Sequence, residues 1–470
     1  MRHMRSRRCV FSVSLFAVSI SLEILLSACG GSTGVASNAP VPTAPTATPP
    51  AAGSGTTPNS GTGTGSGGSG SSGTPSGGSG GSGGASGTPT PSSSGSRYLY
   101  VGIAGNQGGV DGFKVDPATG TMTEVPGAPL LFGTAQDAFS QAGPVAAVKG
   151  FVYVGFGPPN LAAPVIRSYA IDPATGQLGN FTQVDAGAQD GDEQLHALVT
   201  DSSQHNLYAV YQNNIASFKI NSDGSLVFLG SATNLATAFI QALTISPTGQ
   251  LAFVMVDNCP PKGNNCTGPP DFLLLDRDPN SGALSNTGKM MHQNNVSDVT
   301  GLIGTAFDNT GKYFVAWTVN NTSTSSTSQI TVYSVDQTQQ SLTPLKSYNT
   351  VNQGTVTSLP PVAFAFDDTN SFLYALESSA ENEQPEALVV YSFDQKSGAL
   401  SQLQVQPLPS GHFPGGMVVD SSFVYVINSS AGSTPSAIYV LPHDATGKVT
   451  APVFTQNDSQ PLGSGAELQF

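Results

Sequence analysis

The chain has 470 residues, of which 55 are Gly and 34 Pro; only 10% are charged, and the formal net charge is −14. A chain this acidic, with no basic stripe along it, repels phosphate backbones, which excludes nucleic acid as a partner.

Four arginines (Arg2, Arg5, Arg7, Arg8) precede an apolar stretch over residues 10–26 that is interrupted by serines and by Glu23. The stretch is short for a membrane span, so residues 1–28 are expected to be a cleaved export signal rather than a retained helix. It ends in Leu26-Ser27-Ala28-Cys29, which resembles the lipobox of bacterial lipoproteins. That resemblance implies acylation of Cys29, which becomes the new N-terminus, and stable membrane anchoring through more than one acyl chain. Gly30, rather than Asp, follows the Cys, and by similarity to enterobacterial sorting this points to the outer membrane. Loss of the signal removes four Arg and Glu23 and takes the net charge to near −17.

Residues 31–96 carry no charge and consist mostly of Gly, Ser, Thr, Pro and Ala. Such a composition buries too little apolar area to offset chain entropy, so residues 29–96 are expected to be a lipidated Cys followed by a disordered tether. A Gly/Ser-rich coil of this length has a root-mean-square reach of roughly 45 Å.

From residue 97 to 470 one cassette repeats seven times, marked by the turns at Asp116–Gly120, Asp172–Gly176, Asn221–Gly224, Asp278–Gly282, Asp336–Gln339, Asp394–Gly398 and Asp444–Gly447. Gly120 and Gly447 lie six repeats apart, a period of about 54 residues, which falls in the range of propeller blades. Within a repeat, runs such as Ala242-Leu243-Thr244-Ile245 and Leu251-Ala252-Phe253-Val254 flank the turn Ser246-Pro247-Thr248-Gly249. Turn formers between β-branched and aromatic runs read as paired strands. A third strand follows a variable loop, as in Ile166–Ile171 and Ile330–Val335, and a fourth opens after the Asp turn. The expected fold is all-β: a seven-bladed β-propeller of four-stranded antiparallel blades. The first repeat begins at its second strand, Tyr98-Leu99-Tyr100-Val101, while an orphan strand, Ala466-Glu467-Leu468-Gln469-Phe470, ends the chain. The C-terminal strand is therefore expected to complete the first blade and close the ring.

Cys9 leaves with the signal and Cys29 is lipidated, so Cys259 and Cys266 remain, both in one Pro/Gly/Asn-rich loop. In an exported protein they are expected to pair as a disulfide; the loop has no His that would support a metal site. Trp317, the only Trp, lies in a strand and is expected to pack between blades, and the Ser/Thr run over residues 320–328 reads as a loose loop.

The Tyr-Val strand endings, Ile-x-x-Tyr third strands and Asp-Pro-x-Thr-Gly turns resemble the lactonase-type propellers, which include bacterial 6-phosphogluconolactonase and carboxymuconate cyclase. The resemblance implies the fold and a pocket at the channel mouth, where family enzymes carry a Pro-Arg-His element and further Arg and Glu. The matching positions before the inner strands are Pro144, His196, Gln241, Ile303, Val362 and Gly415, of which only His196 fits; Leu195 stands where the Arg would be. The propeller holds only Arg97, Arg167 and Arg277, none placed at the mouth by sequence. A lactonase needs a fixed cation near the developing negative charge, because that electrostatic contribution is usually the largest in catalysis.

The segment Asp190-Gly191-Asp192-Glu193-Gln194-Leu195-His196 connects two blades. His196 with Glu193 and Asp192 reads as a candidate catalytic base with orienting carboxylates, as an oxygen-rich cation site, or as a solvated acidic loop. Asp190, Gln241 and His412 are the candidate ligand-binding residues around the same opening. No cofactor and no metal are expected. The expectation for function is an envelope-anchored binding module, tethered through Cys29, monomeric, and presented to a glycan, peptide or envelope protein. The alternative is hydrolysis of a sugar lactone.

Overall fold

The computed structural model describes residues 96–469 apart from the connections 104–107, 133–140, 149, 158–163, 188–194, 212, 234, 236–239, 257–270, 293–303, 322–325, 351–360, 378–385, 410–411, 431–434 and 459–461. The expected signal, Cys29 and the tether lie outside the described residues, as do Cys259 and Cys266. Residues Thr88–Phe470 form one compact unit.

Among the described residues every regular element is a strand, and the strands assemble into seven antiparallel sheets. Their innermost strands are, in chain order, Gln141–Val148, Leu195–Thr200, Ile240–Ile245, Thr305–Phe307, Pro361–Phe366, His412–Val419 and Leu462–Gln469. Each touches the next, and the last touches the first, so the seven blades form a closed ring. Leu462–Gln469 pairs antiparallel with Arg97–Ile103, setting Tyr98 against Leu468, Tyr100 against Ala466 and Ile103 against Leu462. The closing strand starts four residues earlier than the sequence suggested. Blade one thus joins both ends of the chain, and blades two to seven follow in order.

In the first blade the outermost position is shared by two short strands, Met122–Glu124 and Leu130–Leu131, both paired with Gly109–Val115. Pro126 and Pro129 lie between them. Proline donates no ladder hydrogen bond, which interrupts the edge at that point. The Ser/Thr run also differs from its expected loop: Tyr313–Asn321 and Ser326–Asp336 extend into it as a paired hairpin, with Asn321 opposite Ser326. Pairing of the two adjacent strands overrode the turn-like composition there.

Burial follows position within a blade. Second and third strands are covered on both faces by neighbouring blades, as in Asn206–Tyr211 and Leu251–Val256, every residue of which is buried. Fourth strands face solvent, as in Leu178–Asp185. The cores therefore lie between blades. Among the described residues the largest packs Phe253, Phe272, Phe307, Phe314 and Tyr333, whose neighbouring ring centroids lie 5.1–6.2 Å apart, together with Trp317. Trp317 is buried as expected, and its indole N–H donates to Ser328.

A repeated turn fastens one blade to the next. In Asp116–Gly120 the Asp116 carboxylate accepts the Ala118 and Thr119 amides, and Gly120, at φ 72°, returns its N–H to the Asp116 carbonyl. Asp172–Gly176 and Asp278–Gly282 repeat this arrangement. The glycine of each turn sits against the first ring or amide of the preceding blade's second strand: Gly176 on Tyr98, Gly224 on Phe151, Gly282 on Asn206, Gly398 on Tyr313, Gly447 on Phe372 and Gly120 on Phe423. A tyrosine two residues further along that strand then donates its hydroxyl to the glycine carbonyl. Tyr100 reaches Gly176 at 2.6 Å, Tyr153 reaches Gly224 at 3.1 Å, Tyr208 reaches Gly282 at 2.8 Å and Tyr374 reaches Gly447 at 3.1 Å. In the fifth repeat Gln340 takes the left-handed conformation, φ 52°, where the others place glycine.

Two outcomes test this construction. A Cβ on Gly224 would lie 2.1 Å from the Phe151 ring, whereas one on Gly288, at a similar positive φ of 71°, meets nothing within 4 Å. Both substitutions to Ala carry backbone strain of about 1–2 kcal/mol, but Gly224→Ala adds overpacking of roughly 1–3 kcal/mol; its denaturation midpoint should fall well below that of Gly288→Ala. Deleting residues 462–470 should destabilise the whole propeller in a single transition, because it reopens blade one; a truncated chain melting at the parental temperature would contradict closure.

Candidate functional site

The turns between first and second strands, and between third and fourth, share one face of the disc; the connections from blade to blade, and from second to third strands, share the other. Inner strands begin at this second face, which makes it the channel mouth. His196 is the second residue of Leu195–Thr200, in the third blade, and Gln241 holds the corresponding place in Ile240–Ile245 on the adjoining blade. His412 opens His412–Val419 in the seventh blade, where its backbone faces Ser430. All three lie inside their strands, which begin earlier than the sequence indicated; there these residues were placed just ahead of the strands. The fold brings His196 and Gln241 to neighbouring positions on one rim and sets His412 on another part of the ring. Asp190, Asp192 and Glu193 lie outside the described residues.

His196 is exposed, yet enough protein surrounds its ring that desolvation lowers its pKa below the usual imidazole value. Exposure is the better guide to its chemistry: water reaches the ring, and the lowered pKa keeps it neutral at pH 7. A neutral imidazole can accept a proton or a hydrogen bond from a ligand.

The three arginines are all engaged elsewhere. Arg97, 2% exposed, forms an ion pair with Asp420 (Nη1 to Oδ2, 2.9 Å) and donates to Ser421. Asp420 also accepts the Tyr425 hydroxyl and the amides of Ser422 and Phe423. Arg277 pairs with Asp201 at 2.7 Å, donates to Asn206, to the Tyr208 hydroxyl and to the Gly249 carbonyl, and is likewise buried. Both pairs lie on the turn face, away from the mouth, joining blade one to blade seven and blade four to blade three. Arg167 lies among three rings, 4.9 Å from Phe132, 4.7 Å from Phe156 and 4.6 Å from Phe181, and donates to Gln183. A cleft of about 540 Å³ opens beside Ser96, Lys114 and Asp116 on the outer part of blade one, remote from the inner strands that carry the candidate residues.

Sequence reading missed one group of polar residues. Glu386, immediately before the third strand of blade six, is 1% exposed, and Asn428, in the second strand of blade seven, is fully buried. Asn428 Nδ2 donates to Glu386 Oε2 at 3.0 Å, and the Glu386 carbonyl accepts the Leu408 amide. Glu386 Oε1 and Asn428 Oδ1 are buried and accept no hydrogen bond. Burial pushes the Glu386 carboxyl up to about 8, against a smaller opposing effect of the Asn428 hydrogen bond. Tyr439, on the facing strand, has its hydroxyl pKa raised to about 12, mainly by burial and further by Glu386. Glu377 lies on the opposite face of blade six: it is buried and accepts the Tyr391 hydroxyl at 3.5 Å. Nothing in the sequence distinguishes Glu386 from a loop carboxylate, since it closes the polar segment that precedes the strand.

The raised pKa sets a direction for stability against pH. A carboxyl with a folded pKa of about 8 and an ordinary value of 4.5 favours folding fully below pH 4.5, and that contribution is lost as pH rises toward 8. The loss is on the order of a few kcal/mol. In tetramethylammonium buffer, whose cation is too large to enter a protein interior, Glu386→Gln should therefore flatten the decline in melting temperature between pH 5 and 8. An unchanged decline in the variant would refute the assignment.

Comparison with sequence families and with curated proteins finds no match. Solved structures do match. The periplasmic gluconolactonase of Pseudomonas aeruginosa superposes with a TM-score of 0.59 at 16% identity, covering 79% of this chain and 99% of its own. A candidate 6-phosphogluconolactonase of Bacteroides uniformis gives 0.58 at 15% identity, over 79% of this chain and 99% of its own. A hypothetical selenium-binding protein of Sulfolobus tokodaii gives 0.55 at 11% identity, over 80% and 94%. At these identities the likeness establishes the fold and no more: residues 97–469 form a seven-bladed β-propeller, the fold these structures share.

Proposed function

We propose that the protein is an envelope-anchored binding module, a rigid propeller carried on a tether of about 66 residues, rather than a lactone hydrolase. The observation that carries this reading is the engagement of all three propeller arginines: two in buried ion pairs on the far face, one among three phenylalanines. The guanidinium that would stabilise developing negative charge at the mouth is committed elsewhere. The lipobox-like Leu26-Ser27-Ala28-Cys29 and the uncharged tether support display on a membrane, and the similar P. aeruginosa protein is periplasmic. Net charge favours neutral or cationic ligands such as a glycan or a basic peptide over polyanions.

Lactone hydrolysis is the second reading, favoured by the fold and by an exposed, neutral His196 at the mouth. Purified residues 96–470 should hydrolyse gluconolactone no faster than buffer, and His196→Ala should leave that rate unchanged. Turnover above buffer that His196→Ala abolishes would reverse the assignment. For the anchor, Cys29→Ala should abolish palmitate labelling and move the protein from the membrane to the soluble fraction; retention of label would overturn lipidation at this residue.

A further inference from the structure

We propose that Glu386 and Asn428 hold a single small monovalent metal cation, Na⁺ or K⁺, between blades six and seven. The pair presents two buried oxygen acceptors, Glu386 Oε1 and Asn428 Oδ1, that accept no hydrogen bond. Buried acceptors of this kind are costly unless a donor or a cation satisfies them. Asn428 has one amide hydrogen-bonded to Glu386 Oε2, which fixes the orientation in which its own carbonyl oxygen and the second carboxylate oxygen are left for a ligand.

Among the described residues no basic side chain answers the carboxylate: Arg97 and Arg277 are paired with Asp420 and Asp201, and Arg167 is packed among phenylalanines. Burial and Asn428 account for the shift of the Glu386 carboxyl, with no contribution from a cationic group. An all-oxygen donor set of carboxylate and amide carbonyl suits a hard cation rather than a thiophilic one. Charge decides between valences. One carboxylate neutralises one positive charge, whereas a divalent ion would leave a net buried charge that burial strongly disfavours. Among the described residues no group of three or more Asp, Glu, His or Cys gathers to hold a divalent ion.

The position gives the cation a structural role. Glu386 immediately precedes the third strand of blade six and Asn428 sits opposite Ala437 and Pro414 in blade seven, on the mouth side of the disc. The tyrosine-to-glycine bonds fasten these same two blades on the other side, through Tyr374 and Gly447. A cation at Glu386 would fasten them at the mouth.

The test is thermal unfolding of residues 96–470 at pH 8 and constant ionic strength in NaCl, KCl or tetramethylammonium chloride. Na⁺ or K⁺ should raise the melting temperature above its value in tetramethylammonium, by an equal increment for each tenfold rise in cation beyond the dissociation constant. Glu386→Gln should melt cooperatively and lose the difference between salts. Asn428→Ala provides a second variant with the same expected loss, and ²³Na line broadening by the parental protein, absent in Glu386→Gln, reads binding without reference to stability. Identical melting in all three salts would mean that the site holds only buried water and would overturn the proposal. So would a salt response that survives Glu386→Gln, or stabilisation by millimolar Ca²⁺ without any by Na⁺ or K⁺.

Discussion

The ring depends on how each blade grips the next. A blade by itself exposes both faces of its second and third strands, and these are apolar and buried, as in Leu251–Val256 and most of Ala387–Asp394. Hydrophobic burial brings the blades together but is non-directional. Direction comes from the aspartate turn: its carboxylate organises the backbone, its left-handed glycine removes the Cβ that would strike the neighbouring ring, and its carbonyl receives the neighbouring tyrosine hydroxyl. Each bond is worth about 1 kcal/mol, but repetition around a closed ring fixes the rotation between all blades at once.

Charge supplements the repeated turn at two joints. Blade one is assembled from both ends of the chain, and there the Arg97–Asp420 pair bridges to blade seven. Between blades three and four, Arg277 joins Asp201, Asn206 and Tyr208 in one buried network. Between blades five and six the joint has no ion pair among the described residues: Asn370 donates to the Asp308 carboxylate and Asn309 donates to the Asp367 carbonyl. In a chain with so few basic residues, burying two of three propeller arginines in such joints leaves the mouth without them. The same choice that stabilises the ring therefore shapes what the ring can do, because a propeller hosts whatever chemistry its mouth presents.

His196 and Glu386 show two ways in which a propeller sets the protonation of a side chain. His196 stands at the rim, where water still reaches it and desolvation only tilts it toward the neutral form. Glu386 is enclosed between two blades, where the carboxylate loses water and gains only one amide in return. The rim favours exchange with ligands from solution; the interface favours a permanently bound partner.

The number of blades, their order and the closure by the last strand were legible from the sequence because each rests on local, repeated signals: period-two apolar runs, Asp-to-Gly turns at a fixed spacing, and the missing inner strand of the first repeat matched by the orphan run at the end. His196 and Gln241 were placed at the mouth by the same counting. Tertiary structure decided the rest. That Tyr208 and Arg277 meet across two blades and that Glu386 is buried against Asn428 depend on contacts between residues far apart in the chain, and the hairpin that pairs Asn321 with Ser326 runs through a segment of loop-like composition. Local composition determines which elements form; the desolvation of a single polar atom is determined by what the closed ring brings against it.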